Sequence, residues 1–190
     1  MVDAPLGQGP SSEIAPRAGA PAEARYYTGT GDEDILRRWI EAAGLAHREF
    51  HLTRNEQLHW TPLPRPLAEC SVALVTTGGV HRKDQAPFDI RSHQGDLTFR
   101  GIPFDTPADE LAVTHSHYNH SDADRDINCL FPLTRLRELA TAGVIGRVAP
   151  AHYGMMGFIP DGRALAESVG PLLGDRLRAE GADVVVLSPG

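Results

Sequence analysis

Two apolar runs in this chain fail to alternate: Val72-Ala73-Leu74-Val75 inside SVALVTTGGV, and Val184-Val185-Val186-Leu187 inside ADVVVLSPG. A strand with one wet face carries polar residues at every second position. Runs without that alternation read as strands covered on both faces, as in a parallel sheet between helices. Helical patterns stand in the chain between them. PLTRLRELATAG puts Leu133, Leu136, Leu139 and Ala140 on one face, with Pro132 near the first turn and Gly143 as a stop. RALAESVGPLLGDRLRAEG puts Leu165, Val169, Leu172, Leu173 and Leu177 on one side, with a bend expected near Pro171. ELAVTHSH is a further apolar run that turns polar, and VIGRVA reads as a short strand. Strands alternating with helices predict an α/β protein with a parallel, Rossmann-like or flavodoxin-like sheet.

The chain divides by composition into three parts. Residues 1–28 are rich in Pro, Gly, Ala and Ser and read as a disordered tail. Residues 29–68 hold a helical pattern (Ile35, Leu36, Trp39, Ile40 and Ala43 on one face, ended by Gly44) and the extended, proline-rich WTPLPRPL. Residues 69–190 carry the α/β pattern. A net charge of −7 with no basic run argues against nucleic acid as a partner. No 18-residue apolar stretch predicts a membrane span, and the N-terminus has no secretory h-region. Two cysteines, Cys70 and Cys129, give no disulfide framework; they read as two ordinary, partly buried thiols, and a cytoplasmic setting is expected.

In an open α/β sheet, ligands bind at the carboxyl ends of the strands. Three polar segments fall at such ends: Thr76 to His81 (TTGGVH), His115 to His120, and Ser188 to Gly190. They are expected to converge. The segment Thr114 to Asn128, THSHYNHSDADRDIN, is the densest in chemistry, with three of the chain's nine histidines in six positions. Imidazoles near their ordinary pKa can move protons, so His115, His117, His120 and His152 are candidate acid–base residues. Tyr118, Asn119, Asp122, Asp124, Asp126 and Asn128 are candidate substrate contacts. The carboxylates have a second reading, as caps of the helix that follows. In Thr76-Thr77-Gly78-Gly79-x-His81 the glycines allow close approach, and backbone N–H groups are expected to cradle a carboxylate; a tight structural turn is the plainer reading.

His115-x-His117-x-Asn119-His120 also has the spacing of the zinc motif HxHxDH of metallo-β-lactamase-like hydrolases, with Asn119 where that family has Asp. The hairpin-rich half that should precede such a motif is replaced by a proline-rich segment. Asp122-x-Asp124-x-Asp126 is not a calcium loop, because Ile127 and Leu133 stand where glycine and glutamate are required.

Several blocks taken together carry a resemblance. VALVTTGGVHRKDQAPFD, GDLTFRGIP, THSHYNHSDADRDINCLFPLTRLRELA, GVIGRVAPAHYGMMGFI and GADVVVLSPG resemble, in order, the selenoprotein B subunits of glycine, sarcosine, betaine and D-proline reductases. The resemblance covers Trp60 to Gly190. It implies a dithiol-linked reductase that cleaves a carbon–nitrogen bond of a small amino acid or amine. It also implies partner reductase subunits and an external dithiol or thioredoxin-type electron donor. No bound cofactor is implied in this chain. The family's selenocysteine or cysteine nucleophile lies just after the strand that here reads ADVVVLSPG, so it is expected beyond Gly190. UGA, the selenocysteine codon, is commonly read as a stop. On that expectation the sheet is incomplete at its C-terminal end, and an open frame past a UGA codon is the check. Two alternatives stand beside this reading: a metallohydrolase using His115, His117 and His120, and a catalytically silent small-molecule-binding subunit.

Overall fold

The computed structural model describes residues 61–190; the tail and the helix read at Ile35 to Ala43 lie outside them. The unit from Leu63 to Gly190 is built on one strand, β1 (Ser71–Thr76), all six of whose residues are buried. On one side β1 pairs in parallel with β5 (Arg147–Val148) and then β6 (Ala151–Met155), in effect one strand interrupted at Ala149-Pro150, where proline withholds a ladder donor. On the other side it pairs in parallel with β7 (Val184–Ser188) along its full length. β3 (Phe99–Pro103) closes the β6 edge and runs antiparallel, so the sheet is mixed and mostly parallel.

The unalternating β1 divides its side chains between two cores. Val72 and Leu74 face Leu130, Phe131, Leu133, Leu136 and Ile145; Ala73 and Val75 face Tyr153, Met155, Val169, Leu173 and Leu177. The first layer contains helix α1 (Ser121–Arg125) and helix α2 (Leu133–Thr141). The second contains α3 (Gly162–Ala164), a wide helical turn (Leu165–Val169) and α4 (Gly170–Ala179). The widened turn lies just before Pro171, which has no N–H and whose ring would strike the carbonyl four residues back; widening relieves both. α2 ends as expected, with Gly143 at φ 71°.

Four expectations are corrected. ELAV does not enter the main sheet: β4 (Leu111–Val113) pairs antiparallel with β2 (Val80–Arg82) in a separate two-stranded ribbon. β7 is not covered on both faces. It has no outer strand partner among the described residues, and Leu187 is 75% exposed. Leu139 and Leu172, assigned to inner helix faces, are exposed. Finally, Cys70 is buried while Cys129 is exposed.

Candidate functional site

Four strand ends meet at one end of the sheet. The chain leaves β1 through Thr76 to Gly79, β4 through Thr114 to His120, β6 through Met156 to Phe158, and β7 through Ser188 to Gly190. Backbone bonds stitch them together: Thr77 N–H donates to Ser188 O (3.1 Å), Gly79 N–H to Met155 O (2.7 Å) and Thr114 N–H to Gly79 O (2.9 Å). Gly78 forms a bridge with Met156. Gly79 stands at φ 74°, and a Cβ there would lie 2.3 Å from Thr114 O, so only glycine allows the β4 exit to press on this turn.

Three of the polar segments expected to converge do so, but the Thr-Thr-Gly-Gly turn does not offer an anion cradle. Gly78 N–H is taken by Thr76 Oγ1 at 3.1 Å, and the Thr77 and Gly79 amides are engaged as above. The turn is a bracket. Thr76 is wholly buried, and Thr77 Oγ1 accepts from Gly190 N–H at 3.3 Å. His81 is buried in the ribbon: Nδ1 donates to Arg82 O (2.7 Å), which leaves Nε2 to accept from Thr114 Oγ1 (2.8 Å). That ring holds β2 to β4.

Tyr118 is the centre of the histidine segment. Its hydroxyl donates to Gly78 O at 2.7 Å, and its ring meets His115 edge to face at 4.6 Å between centroids. Burial, then the nearby Cys129 and Asp124 charges, push its hydroxyl up to about 12, so it remains a donor at neutral pH. Tyr118→Phe removes this cross-link between two strand ends. It should cost about 1 kcal/mol in urea unfolding with the fold retained; unchanged stability would show that the bond is not made in solution.

His115 is nearly buried. Its Nδ1 faces His117 N–H at 3.1 Å, and its Nε2 faces Gly157 N–H at 3.3 Å. Burial, then repulsion from His117 and His120, holds its pKa below the ordinary histidine value. His117 is exposed and lies flat on Phe158, ring centroids 3.7 Å apart and 5° from parallel. His120 pairs with Asp124 at 3.0 Å. The three imidazoles therefore turn to three different partners, and among the described residues no group of three or more His, Cys, Asp or Glu is arranged to hold a metal ion.

The remaining candidates are engaged with neighbours in the same segment or the first turn of α2. Asn119 Oδ1 accepts from Ser121 N–H at the start of α1. Asp122 pairs with Arg125. Asp126 accepts from both nitrogens of Asn128, and those bonds hold its carboxyl below the usual range. Asn128 Oδ1 in turn accepts from Thr134 N–H in the first turn of α2. The capping reading of this acidic stretch describes Asp126 and Asn128.

His152 lies elsewhere. It points from β6 into the first core layer, has no exposure, accepts from Leu74 N–H through Nδ1 at 2.9 Å, and packs edge-on near Phe131. Burial above all, then Arg137, lowers its pKa to about 4. The sequence reading did not name two residues that touch the histidine segment, Gly157, whose N–H faces His115 Nε2, and Phe158, whose ring stacks on His117. The available signal was their place directly after a strand, at the same end of the sheet as the other segments.

A family model described as glycine/sarcosine/betaine reductase selenoprotein B matches residues 44–189. Among characterised proteins, the chain is similar to D-proline reductase subunit gamma of Acetoanaerobium sticklandii, 40% identical over 131 residues, which are 69% of this chain and 53% of that one. It is also similar to the glycine reductase complex component B subunit gamma of Carboxydothermus hydrogenoformans, 28% identical over 67% of this chain and 29% of the relative. For the subunit of the same name from Symbiobacterium thermophilum the figures are 25%, 74% and 33%. The chain thus spans about half the length of the first relative and about a third of the others. No solved structure matches it.

Proposed function

Because the chain belongs to the glycine/sarcosine/betaine reductase selenoprotein B family, we propose that it is a subunit of a dithiol-linked reductase that cleaves a carbon–nitrogen bond of glycine, sarcosine, betaine, D-proline or a related small amine. One observation supports this above the rest: the four strand ends close on one another around Gly78, with Gly190 N–H on Thr77 Oγ1 and Tyr118 on Gly78 O. A selenol or low-pKa thiol beside Gly190 would supply the nucleophile, since either attacks carbon at neutral pH.

The overall change balances without any other reagent. The dithiol loses two electrons and two protons and becomes a disulfide. The C–N bond breaks, the carbon gains one hydrogen and the amine the other. The residues of this chain would hold the substrate and handle the proton that the amine takes. His117 and His120 sit at the accessible rim, and the Asp124 carboxylate holds the His120 ring in one orientation. The Phe158 ring behind His117 makes an apolar wall for the substrate's aliphatic part. Partner subunits and a thioredoxin-type donor in the cytoplasm would supply the dithiol.

The test is turnover. Protein purified with its partner subunits and excess dithiol is incubated with each of the four amines, and released amine or ring-opened product is measured against thiol oxidised. One disulfide per C–N bond broken is expected for at least one substrate. No dithiol-dependent product from any of them would overturn the reading, and binding without turnover would leave a silent binding subunit in its place.

A further inference from the structure

Gly101 is a glycine that the fold does not require. It stands in the middle of β3 opposite Tyr153, its φ is not positive, and a Cβ there would meet only Tyr153 Cε1, at an ordinary 3.6 Å. Glycine weakens a strand interior, and one that neither a turn nor close packing explains marks a place where something else approaches the sheet. Strand alternation puts Phe99, Gly101 and Pro103 on one face with Tyr153. Over the missing side chain, between these residues and the end of α4, lies a hollow of about 370 Å³. That is within the range of small-molecule sites, about 300–1,000 Å³. The hollow stands apart from the joined strand ends, none of whose segments lines it.

Two opposite charges line it and do not pair. Arg176 and Glu180 stand four residues apart, in the last turn and at the cap of α4, the spacing at which charges on a helix face each other. Arg176 lies instead over the Phe99 ring, its guanidinium carbon 5.5 Å from the centroid, and makes no ion pair among the described residues. The other arginine on the wall, Arg82, is engaged with Asp84. Glu180 Oε1 accepts from the Tyr153 hydroxyl at 2.6 Å, while Oε2 is buried with no partner. A carboxylate turns readily about its last bond, so this group can offer an oxygen to a donor in the hollow. We propose that the hollow binds a small α-amino acid as its zwitterion, with the carboxylate on Arg176, the ammonium on Glu180 and the aliphatic part against Phe99, Pro103 and Pro150. A ligand with one charge would leave the other group unserved, whereas an α-amino acid carries both charges on one carbon. Burial, then the bond to Glu180, push the Tyr153 hydroxyl up to about 12, so it keeps its proton and holds Glu180 at the wall. Such a site is independent of the reductase reading above.

The experiment is a ¹H–¹⁵N titration of the 190-residue chain with glycine and with L-proline, against acetate and methylammonium, which carry one charge each. Both amino acids should move the Gly101 amide and the Arg176 Nε–H. Acetate and methylammonium should bind at least about tenfold more weakly, since each forgoes one charge-assisted contact. Arg176→Gln and Glu180→Gln should each weaken glycine binding by about that factor. Gly101→Val, which fills the hollow, should abolish the Arg176 shift while melting is unchanged or raised. Unmoved Gly101 and Arg176 signals would overturn the site, whatever the turnover assay gives. Shifts confined to Gly157 and His117 would overturn it too, by placing the amino acid at the strand ends. Acetate binding as tightly as glycine would overturn the zwitterion and the proposal with it. Variants that unfold are recognised from their amide spectra, and the wild-type titrations then decide alone.

Discussion

Gly154→Ala should not yield a stable protein. A Cβ at this buried β6 position would stand 1.8 Å from Val80 O and 2.8 Å from Val80 C, both backbone atoms of the neighbouring ribbon. No rotamer change relieves a collision with main chain; β2 and β6 must separate. Overpacking of a core by one methylene already costs about 1–3 kcal/mol, and here the parts that must move carry strand pairing. A loss of at least about 3 kcal/mol is expected, on the scale of total stability for a domain this size. The effect would extend to the joined strand ends, because Met156 to Phe158 follow directly and Met156 is bridged to Gly78. Gly162→Ala is the matched control: it starts a helix, a Cβ there meets nothing within 4 Å, and melting should be unchanged or slightly raised. If circular dichroism shows Gly154→Ala melting within two or three degrees of the parent, the close approach of β2 to β6 is not present in solution.

The second large effect is loss of stability in acid through His152. Its pKa falls from the ordinary 6.5 to about 4 on folding, because protonation would charge a ring with no exposure and remove the acceptor that Leu74 N–H uses. Nε2–H is itself buried without a partner, so nothing in the core awaits a cation. Between those two values the unfolded chain binds a proton that the folded chain does not. Stability is therefore full above about pH 6.5, falls as the pH drops, and levels off below about 4. The span corresponds to about 3 kcal/mol, at 1.36 kcal/mol for each pKa unit. His115, also lowered, adds to the loss in the same sense. Urea unfolding at pH 7 and pH 4.5 should show it, and the His152 ring signals should not titrate above pH 5. A midpoint for His152 near 6.5, or equal stability at both pH values, would contradict the buried placement.

Much of the site was readable from the order of residue types. Polar segments that follow apolar strands collect at the strand ends, and the segments at Thr76, His115 and Ser188 do meet. The direction of individual side chains was less readable. His152 lies in a five-residue strand whose other members are Ala, Tyr, Gly and Met, and strand alternation sends it to the Phe131 face. The Thr-Thr-Gly-Gly amides looked available only because their acceptors, Ser188 O and Met155 O, come from remote strands. Gly157 and Phe158 carry no recognisable spacing at all. They reach His115 and His117 because β6 runs parallel to β1 and ends beside it.

The sequence by itself determined what depends on local periodicity and on the chemistry of neighbouring residues: the central strand, the two helical layers, the stop at Gly143, the family, and the cluster at His115 to His120. Tertiary structure decided the rest. Val72 to Val75 and Val184 to Leu187 read alike, yet β1 is enclosed by strands on both edges while β7 has one partner, and Leu187 stands in solvent. An apolar run records that a strand avoids water; which of its edges and faces are covered depends on elements far away in the chain. The antiparallel ribbon of β2 and β4 and the contact of Gly157 with His115 are of the same kind. They join residues about thirty and forty positions apart, beyond the reach of any periodicity.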